Sequence, residues 1–161
     1  MIIRPPIIKD REAYESAVKR ELDPLCADAW KLPMSIDLRK EIQREMFGKN
    51  NAVGNEKFYR YCLKHKPLIC EECKKPIRNP SAVNVSHILS RGAHPECSHD
   101  PRNVNILCWE CHQKWENGNR QEMLIYENNQ RIINQLKKEY NEYGTQRISG
   151  KGNVNLPTEL Q

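Results

Sequence analysis

Two Cys-x-x-Cys pairs are the feature that most constrains the fold of this chain of 161 residues. Cys70-Glu-Glu-Cys73 and Cys108-Trp-Glu-Cys111 are separated by 34 residues, 74 through 107. A tight turn in each pair points both sulfurs to one side, and two such pairs are typical of a tetrahedral Zn²⁺ site. Two disulfides are the structural alternative, which a reducing compartment disfavours. The spacing therefore predicts one structural zinc ion, bound by the thiolates of Cys70, Cys73, Cys108 and Cys111.

The composition favours a small domain that benefits from a metal. Hydrophobic residues make up 38% of the chain and charged residues 29%, whereas globular domains are roughly 45–50% apolar. No apolar run approaches the roughly 18 residues that a membrane-spanning helix needs. Pro5 and Pro6 also interrupt the position where a signal peptide has its apolar stretch. We therefore expect a cytoplasmic protein without membrane contact.

The residues on both sides of the cysteine-rich segment read as helices. Asp10, Ser35 and Asn55 are the predicted N-caps of three helices, because each precedes an apolar pattern of helical spacing. The first helix is expected to end before Pro24 and the third before Pro67. The chain is thus divided into four parts: an N-terminal helical region (1–66), a core (67–118), a C-terminal helix (119–144) and a tail (145–161).

The excess positive charge is concentrated in one stretch of the chain. Residues 56–78 carry seven basic and three acidic residues, so this stretch holds +4 of the net charge of +5. Basic residues interleaved with aromatic ones suit a polyanion. The predicted contacts are made by Lys57, Arg60 and Lys64. A solvated helix face is the alternative interpretation of the same pattern.

The segment between the two cysteine pairs contains the residues that suit chemistry. A zinc site closed by four cysteines has no open coordination position, so the zinc itself cannot activate water. Residues 82–89 alternate like a short strand, with Val83, Val85 and His87 on one face. A second strand is expected before Cys108, and a short helix begins near His112.

These motifs together resemble the HNH endonuclease family. The resemblance is carried by the Cys-x-x-Cys pairs, by Ser-His87-Ile, and by Asn103-Val-Asn-Ile-Leu-Cys-Trp-Glu-Cys-His112, within residues 68–118. The loop 90–96, Ser-Arg-Gly-Ala-His-Pro-Glu, resembles a variant found in phage recombination nucleases. The resemblance implies an α+β protein from a bacterium or a phage-infected host. Its ββα-metal core would be stapled by the zinc site and flanked by N-terminal helices and a C-terminal helix.

The resemblance also implies a metal-dependent hydrolysis of DNA phosphodiester bonds by His87, Asn103 and His112. His87 is then the general base that takes a proton from water, and Asn103 fixes either the loop or the His87 ring. His112 faces the catalytic cation, Mg²⁺ or Mn²⁺, which neutralises charge on the phosphate. Arg91 and Arg102 are expected to bind DNA and to stabilise the transition state.

One position departs from the family pattern. Many members carry Asp or His directly before the catalytic histidine, where this chain has Ser86, and a hydroxyl is a poor ligand for a hard cation. Either the site has decayed, or His112 and the substrate phosphate hold the cation. We expect the second, with Ser86→Asp strengthening metal binding. The alternative function is a zinc-stabilised nucleic-acid-binding module without catalysis. Cutting of both strands by one active site would favour a homodimer.

Several nearby residues are expected to have structural roles. Trp109 and Trp115 are predicted to be packing residues that cover the zinc knuckle and the short helix. His94, Cys97 and His99 are predicted to be solvated loop residues, and a second metal cluster is the alternative, although their spacing matches no standard site.

Overall fold

The protein is a mixture of helix and sheet in the computed structural model, which describes residues 7–21 and 30–150. The predicted mixture of helix and sheet is therefore confirmed. The helices are α1 (Arg11–Glu21), α2 (Ile36–Phe47), α3 (Ala52–His65), α4 (Trp109–Asn117) and α5 (Tyr126–Gly150). Strands β1 (Val85–His87) and β2 (Val104–Ile106) form an antiparallel two-stranded sheet. Within the described ranges, none of the helices is long and apolar enough to cross a bilayer.

The first two helices begin at the predicted caps. A carboxylate oxygen of Asp10 accepts the backbone N–H of Ala13 at 2.8 Å, and the Ser35 hydroxyl accepts that of Leu38 at 3.3 Å. These side chains satisfy backbone donors that have no partner inside the helix. The predicted end of α1 before Pro24 lies outside the described residues.

The third helix begins earlier than predicted, because Asn51 rather than Asn55 is its N-cap. The side-chain oxygen of Asn51 accepts the backbone N–H of Gly54 at 3.0 Å. Gly54 suggested a loop in the sequence, but it lies inside α3, where a Cβ would stand 1.9 Å from the carbonyl oxygen of Lys49. The glycine is therefore required by the close approach of two backbone segments. Asn55 is one turn further along, free to bind a residue outside the helix.

The C-terminal helix also has different bounds from those predicted. Residues Arg120–Glu122 form a short 3₁₀ turn, and α5 begins only at Tyr126. It continues to Gly150, past the predicted end at 144, so part of the predicted tail is helical. The remaining tail residues, 151–161, lie outside the described residues.

The core consists of two clusters, one on each side of the sheet region. The first joins α1, α2 and α3 to the strands and includes Tyr14, Trp30, Phe47, Phe58, Val85 and Ile106. The second joins the cysteine-rich segment to α4 and α5 and includes Ile88, Leu107, Trp115, Ile133 and Leu136. Burial of each large apolar side chain contributes about 1.5–3 kcal/mol. The chain passes from the first cluster to the second directly after each strand.

Candidate metal centre and active-site cavity

The four knuckle cysteines come together as the spacing predicts. Their sulfur atoms all lie within 4.8 Å of one another, and the sulfurs of Cys73 and Cys108 are 3.8 Å apart. A tetrahedral ion with Zn–S bonds of about 2.3 Å would hold its sulfurs about 3.8 Å apart. The four cysteines are thus positioned to bind a metal ion, and the separation is consistent with a structural zinc.

The first knuckle is a tight turn closed by its own backbone. The N–H of Lys74 donates to the carbonyl of Cys70 at 2.9 Å, and Lys74 adopts φ of 64°, in the left-handed region. Burial opposes ionisation of the Cys70 thiol, but backbone N–H groups of Cys73, Cys108 and Glu72 lower its pKa to about 7. Burial and the neighbouring sulfurs raise the pKa values of Cys108 and Cys111, so four thiolates this close together need a bound cation to compensate their charge.

The two residues between the cysteines of the first knuckle connect the metal centre to the rest of the fold. A carboxylate oxygen of Glu71 accepts the backbone N–H of Ile106 at 2.7 Å. The carboxylate of Glu72 accepts the N–H groups of Leu124 and Ile125 at 2.8 and 3.0 Å. The knuckle therefore holds both β2 and the residues that lead into α5. Neither glutamate was among the predicted site residues.

A second candidate site is a cavity of about 410 Å³ between α3, α4 and the residues that follow β1. Two of the three predicted catalytic residues line it, His87 from β1 and His112 from α4, and so does Arg91. The guanidinium of Arg91 donates to the hydroxyl of Tyr59 at 2.5 Å, which holds it beside α3. The cavity thus brings together two imidazoles and a cation, with Glu116 at its edge.

His87 is buried, with 9% of its surface exposed. Its Nε2 lies 2.8 Å from the carbonyl oxygen of Ser98. A carbonyl only accepts, so Nε2 carries the proton and Nδ1 keeps its lone pair in the neutral ring. Burial is the largest effect and lowers the pKa of His87; the hydrogen bond with the Ser98 carbonyl opposes it, and Arg91 adds a smaller lowering. The ring is therefore neutral at pH 7, and one nitrogen is able to accept a proton.

His112 has the opposite arrangement of its two ring nitrogens. Its Nδ1 lies 2.6 Å from the carbonyl oxygen of Val83 and must donate to it. Nε2 is then the acceptor, and it lies 3.6 Å from a carboxylate oxygen of Glu116, one turn further along α4. An imidazole fixed through its other nitrogen, next to a carboxylate, is a ligand pair that suits a divalent cation. Glu116 was not among the predicted site residues, although its i, i+4 spacing from His112 is visible in the sequence.

Asn103 is fully buried and binds the loop rather than the His87 ring. Its side-chain oxygen accepts the N–H of Leu89 at 2.8 Å. Its amide nitrogen donates to the carbonyls of Leu89 and Cys97 at 3.1 and 3.3 Å. The next residue, Ser98, provides the carbonyl that binds His87. Asn103 therefore acts on the site through the backbone of the loop, one of the two roles that the resemblance implied.

Arg102 lies away from this cavity. Its guanidinium is paired with the carboxylates of Asp100 and Glu139, each at 2.8 Å, and only 10% of the side chain is exposed. Burial opposes ionisation of Asp100, but Arg102 holds the pKa of its carboxyl below the usual value. The Tyr140 hydroxyl also donates to Asp100 at 2.9 Å. This network attaches α5 to the turn that contains Asn103, so the structure gives Arg102 protein partners instead of the predicted exposure to DNA.

Ser86 lies on the opposite face of β1 from His87. It is fully buried opposite Asn105 of β2 and does not line the cavity. Among the described residues its hydroxyl has no hydrogen-bond partner. Successive side chains of a strand point to opposite faces, so Val85 and His87 line the cavity and Ser86 does not. An aspartate at position 86 would therefore point away from this cavity, so the expected strengthening of metal binding has no support in the geometry.

The three predicted basic contacts are exposed on α3. Lys57, Arg60 and Lys64 all reach solvent, and Arg60 is paired with Glu56 at 2.6 Å. Tyr59, in the same helix, lines the cavity. The same helix thus carries exposed cations and one residue of the cavity wall. Exposed ion pairs contribute little free energy, so the Glu56 partner does not prevent Arg60 from contacting an anion.

Three expectations about neighbouring side chains are wrong. Cys97 is not a solvated loop residue but is buried, with its sulfur 3.7 Å from the amide nitrogen of Asn103. Trp109 does not pack over the knuckle but is 55% exposed, with its ring centroid 6.2 Å from that of His112. His99 is not solvated: its Nε2 bonds to the Asn55 side-chain oxygen at 2.8 Å, and its ring stacks on Phe58. Trp115 is buried, as predicted. Within the described part of the chain, the cysteine cluster alone groups three or more close metal ligands.

Comparison with known proteins places the chain in no family. It matches no protein-family model, no curated protein and no solved structure.

Proposed function

We propose that this protein is a metal-dependent endonuclease of the HNH type that hydrolyses phosphodiester bonds in DNA. The observation that supports this most is the state of His87: buried, neutral, and held through Nε2–H so that Nδ1 is the basic nitrogen. A neutral imidazole with one free lone pair can take a proton from water, so this state suits general-base catalysis. A module that only binds nucleic acid has no need of such a base in a cavity beside Arg91 and His112.

The chain's own residues supply most of the chemistry in this proposal. His87 takes a proton from the attacking water at Nδ1, and the Ser98 carbonyl stabilises the imidazolium through the Nε2–H bond. Arg91 provides positive charge for the phosphate in the transition state. Asn103 keeps the loop in place, so that the Ser98 carbonyl stays opposite His87.

The catalytic cation, Mg²⁺ or Mn²⁺, would be held by Nε2 of His112 and the carboxylate of Glu116. When bound, it supplies positive charge to the phosphate and to the leaving 3′ oxygen. The Val83 carbonyl fixes His112 through its Nδ1–H, which leaves Nε2 for the cation. Two protein ligands are few for a hard cation. We therefore infer that binding is weak in the free protein and strengthens when phosphate oxygens of DNA complete the coordination.

The metal of the four cysteines is zinc in this proposal, and its role is to hold the second site in place. Cys108 and Cys111 stand at the start of α4, the helix that carries His112 and Glu116. The first knuckle holds β2 through Glu71. Loss of zinc would therefore release both the helix and the strand that frame the cavity.

The proposed partner is DNA, contacted by Arg91 and by the exposed cations of α3, Lys57, Arg60 and Lys64. A bacterial or phage-infected cytoplasm is the proposed location. Cutting of both strands of a duplex by one active site per chain would favour a homodimer.

A plasmid-nicking assay in Mg²⁺ tests the function, with His87→Ala as the variant and His94→Ala as the matched control. His94 is a partly exposed loop histidine that pairs with Glu96. We expect His87→Ala to lower the nicking rate by about 10²-fold or more, with DNA affinity almost unchanged, and His94→Ala to remain active. A wild type that binds DNA but never nicks it would support the alternative, a zinc-stabilised binding module. Equal rates for wild type and His87→Ala would remove His87 from the mechanism.

A further inference from the structure

We propose that Trp109 is a stacking platform for an unpaired base, so that the protein prefers DNA whose strand is single-stranded next to the cavity. This inference rests on the proposed function and specifies its substrate class. Trp109 is 55% exposed, whereas Trp30 and Trp115 are buried. Removal of exposed apolar surface from water is favourable, so a flat partner that covers this ring would gain binding free energy.

The backbone of Trp109 is held rigidly. It follows Cys108 directly and is the first residue of α4. The N–H of His112 closes the first turn by donating to the carbonyl of Cys108 at 2.9 Å. Because the backbone at Trp109 is already fixed by the helix start, covering the ring orders only its two side-chain torsions. Trp109 therefore suits a preorganised contact.

The ring of Trp109 is next to the cavity that would hold the phosphate. Its centroid lies 6.2 Å from that of His112, with the two planes at 73°. Successive nucleotides of a DNA strand are spaced about 3.4 Å along the helix axis, so this separation is less than two base steps. Val83, whose carbonyl binds His112, is also exposed, at 47%. Val83, His112 and Trp109 thus form one surface that leads from the cavity.

Arg91 gives the cavity next to this surface a positive charge that suits a nucleic-acid backbone better than an apolar protein partner, and the proposed cation would offset the carboxylate of Glu116 at its edge. Arg91 lines the same cavity, and exposed Lys57 and Arg60 lie on α3, which carries Tyr59 of the cavity wall. Nucleic-acid sites that accept single strands combine cations for the backbone with aromatic rings on which bases stack. In an intact duplex, both faces of each base are covered by its neighbours. Only an unpaired or extruded base offers a free face to Trp109.

Equilibrium binding of a labelled single-stranded oligonucleotide and of its duplex, measured without Mg²⁺, tests the proposal on the full chain. The variants are Trp109→Ala and Trp109→Phe, and the control is Val53→Ala, which removes another exposed apolar side chain. We expect Trp109→Ala to weaken single-strand binding about tenfold, Trp109→Phe to restore most of it, and duplex binding to change less than twofold. Equal losses on both DNAs, or no loss, would overturn the proposal.

Intrinsic fluorescence gives a second measurement on the same protein. Because Trp30 and Trp115 are buried, quenching by the single-stranded oligonucleotide should come from Trp109 and should disappear in Trp109→Phe. If Trp109→Ala instead dissociates a dimer in sedimentation, the ring belongs to a contact between copies and the proposal is wrong.

The binding measurement requires no cleavage, so its outcome distinguishes base stacking on Trp109 from the nuclease proposal. Persistent Trp109-dependent binding by a chain that never nicks DNA would support stacking and refute the nuclease. Nicking by the wild type with Trp109-independent binding would refute stacking alone.

Discussion

The imidazole of His87 donates its Nε2–H to the carbonyl oxygen of Ser98 across 2.8 Å. The two residues are held together by Asn103, whose amide binds the carbonyl of Cys97, the residue before Ser98. A buried ring oriented in this way has one available nitrogen and little tendency to become charged. This relationship links the loop between the strands to the proposed chemistry at the cavity.

The pH dependence of cleavage should reflect the lowered pKa of His87. Burial is the largest cause of the shift, and the positive charge of Arg91 acts in the same direction. The neutral ring is the active form, so a lower pKa keeps the base active as the pH falls. We expect the acidic limb of the kcat/KM profile to have its midpoint below about 6.5, the ordinary histidine value. Arg91→Gln should move that midpoint upward, and a midpoint above the ordinary value would contradict the prediction.

Replacement of Asn103 by alanine should destabilise the loop around the site. The N–H and carbonyl of Leu89 and the carbonyl of Cys97 would lose buried partners. We expect a loss of about 1–3 kcal/mol in the free energy of unfolding, measured with urea. Asn117→Ala, at the exposed end of α4, is the control and should change it little. Identical stability of Asn103→Ala and wild type would show that these bonds contribute nothing.

Metal analysis of protein purified without added zinc should give close to one zinc per chain. Cys73→Ser removes one of the four ligands and should abolish both the metal and the cooperative unfolding transition. Cys97→Ala is the control, because Cys97 is buried outside the cluster, and it should keep the metal ratio. A folded, metal-free wild type would contradict the assignment of zinc.

Substitutions at Ser86 should affect stability rather than metal affinity. Ser86→Ala removes a buried hydroxyl that makes no hydrogen bond among the described residues. The free energy of unfolding should therefore change by less than about 1 kcal/mol. Ser86→Asp buries an unpaired charge and should lower the free energy of unfolding by about 3–5 kcal/mol. Thermal unfolding and a Mg²⁺ titration of the nicking rate check both expectations. A lower Mg²⁺ midpoint in Ser86→Asp would mean that residue 86 reaches the cation after all.

Glu116→Gln should weaken the binding of the catalytic cation without disturbing the fold. The carboxylate lies 3.6 Å from Nε2 of His112 and is partly exposed, so its charge is not needed for packing. We expect the Mg²⁺ concentration for half-maximal nicking to rise about tenfold or more. Glu110→Gln, an exposed change in the same helix, is the matched control. An unchanged midpoint in Glu116→Gln would exclude the carboxylate as a ligand.

The sequence by itself determined the features that depend on local spacing. The four cysteines needed only two tight turns to present their sulfurs, and the caps at Asp10 and Ser35 act on backbone groups within three residues. The alternation of β1 likewise placed His87 and Val85 on one face. In each case the interacting atoms are close along the chain, so the pattern of residue types was sufficient.

Tertiary structure decided everything that depends on which surface another element covers. Arg102 was predicted to contact DNA and Trp109 to pack against the knuckle. In the structure α5 covers Arg102 through Glu139, and no described element covers Trp109. The Ser98 carbonyl that orients His87 carries no sequence signature, because any residue has one. Burial and long-range hydrogen bonds are properties of the packed chain, and residue spacing does not encode them directly.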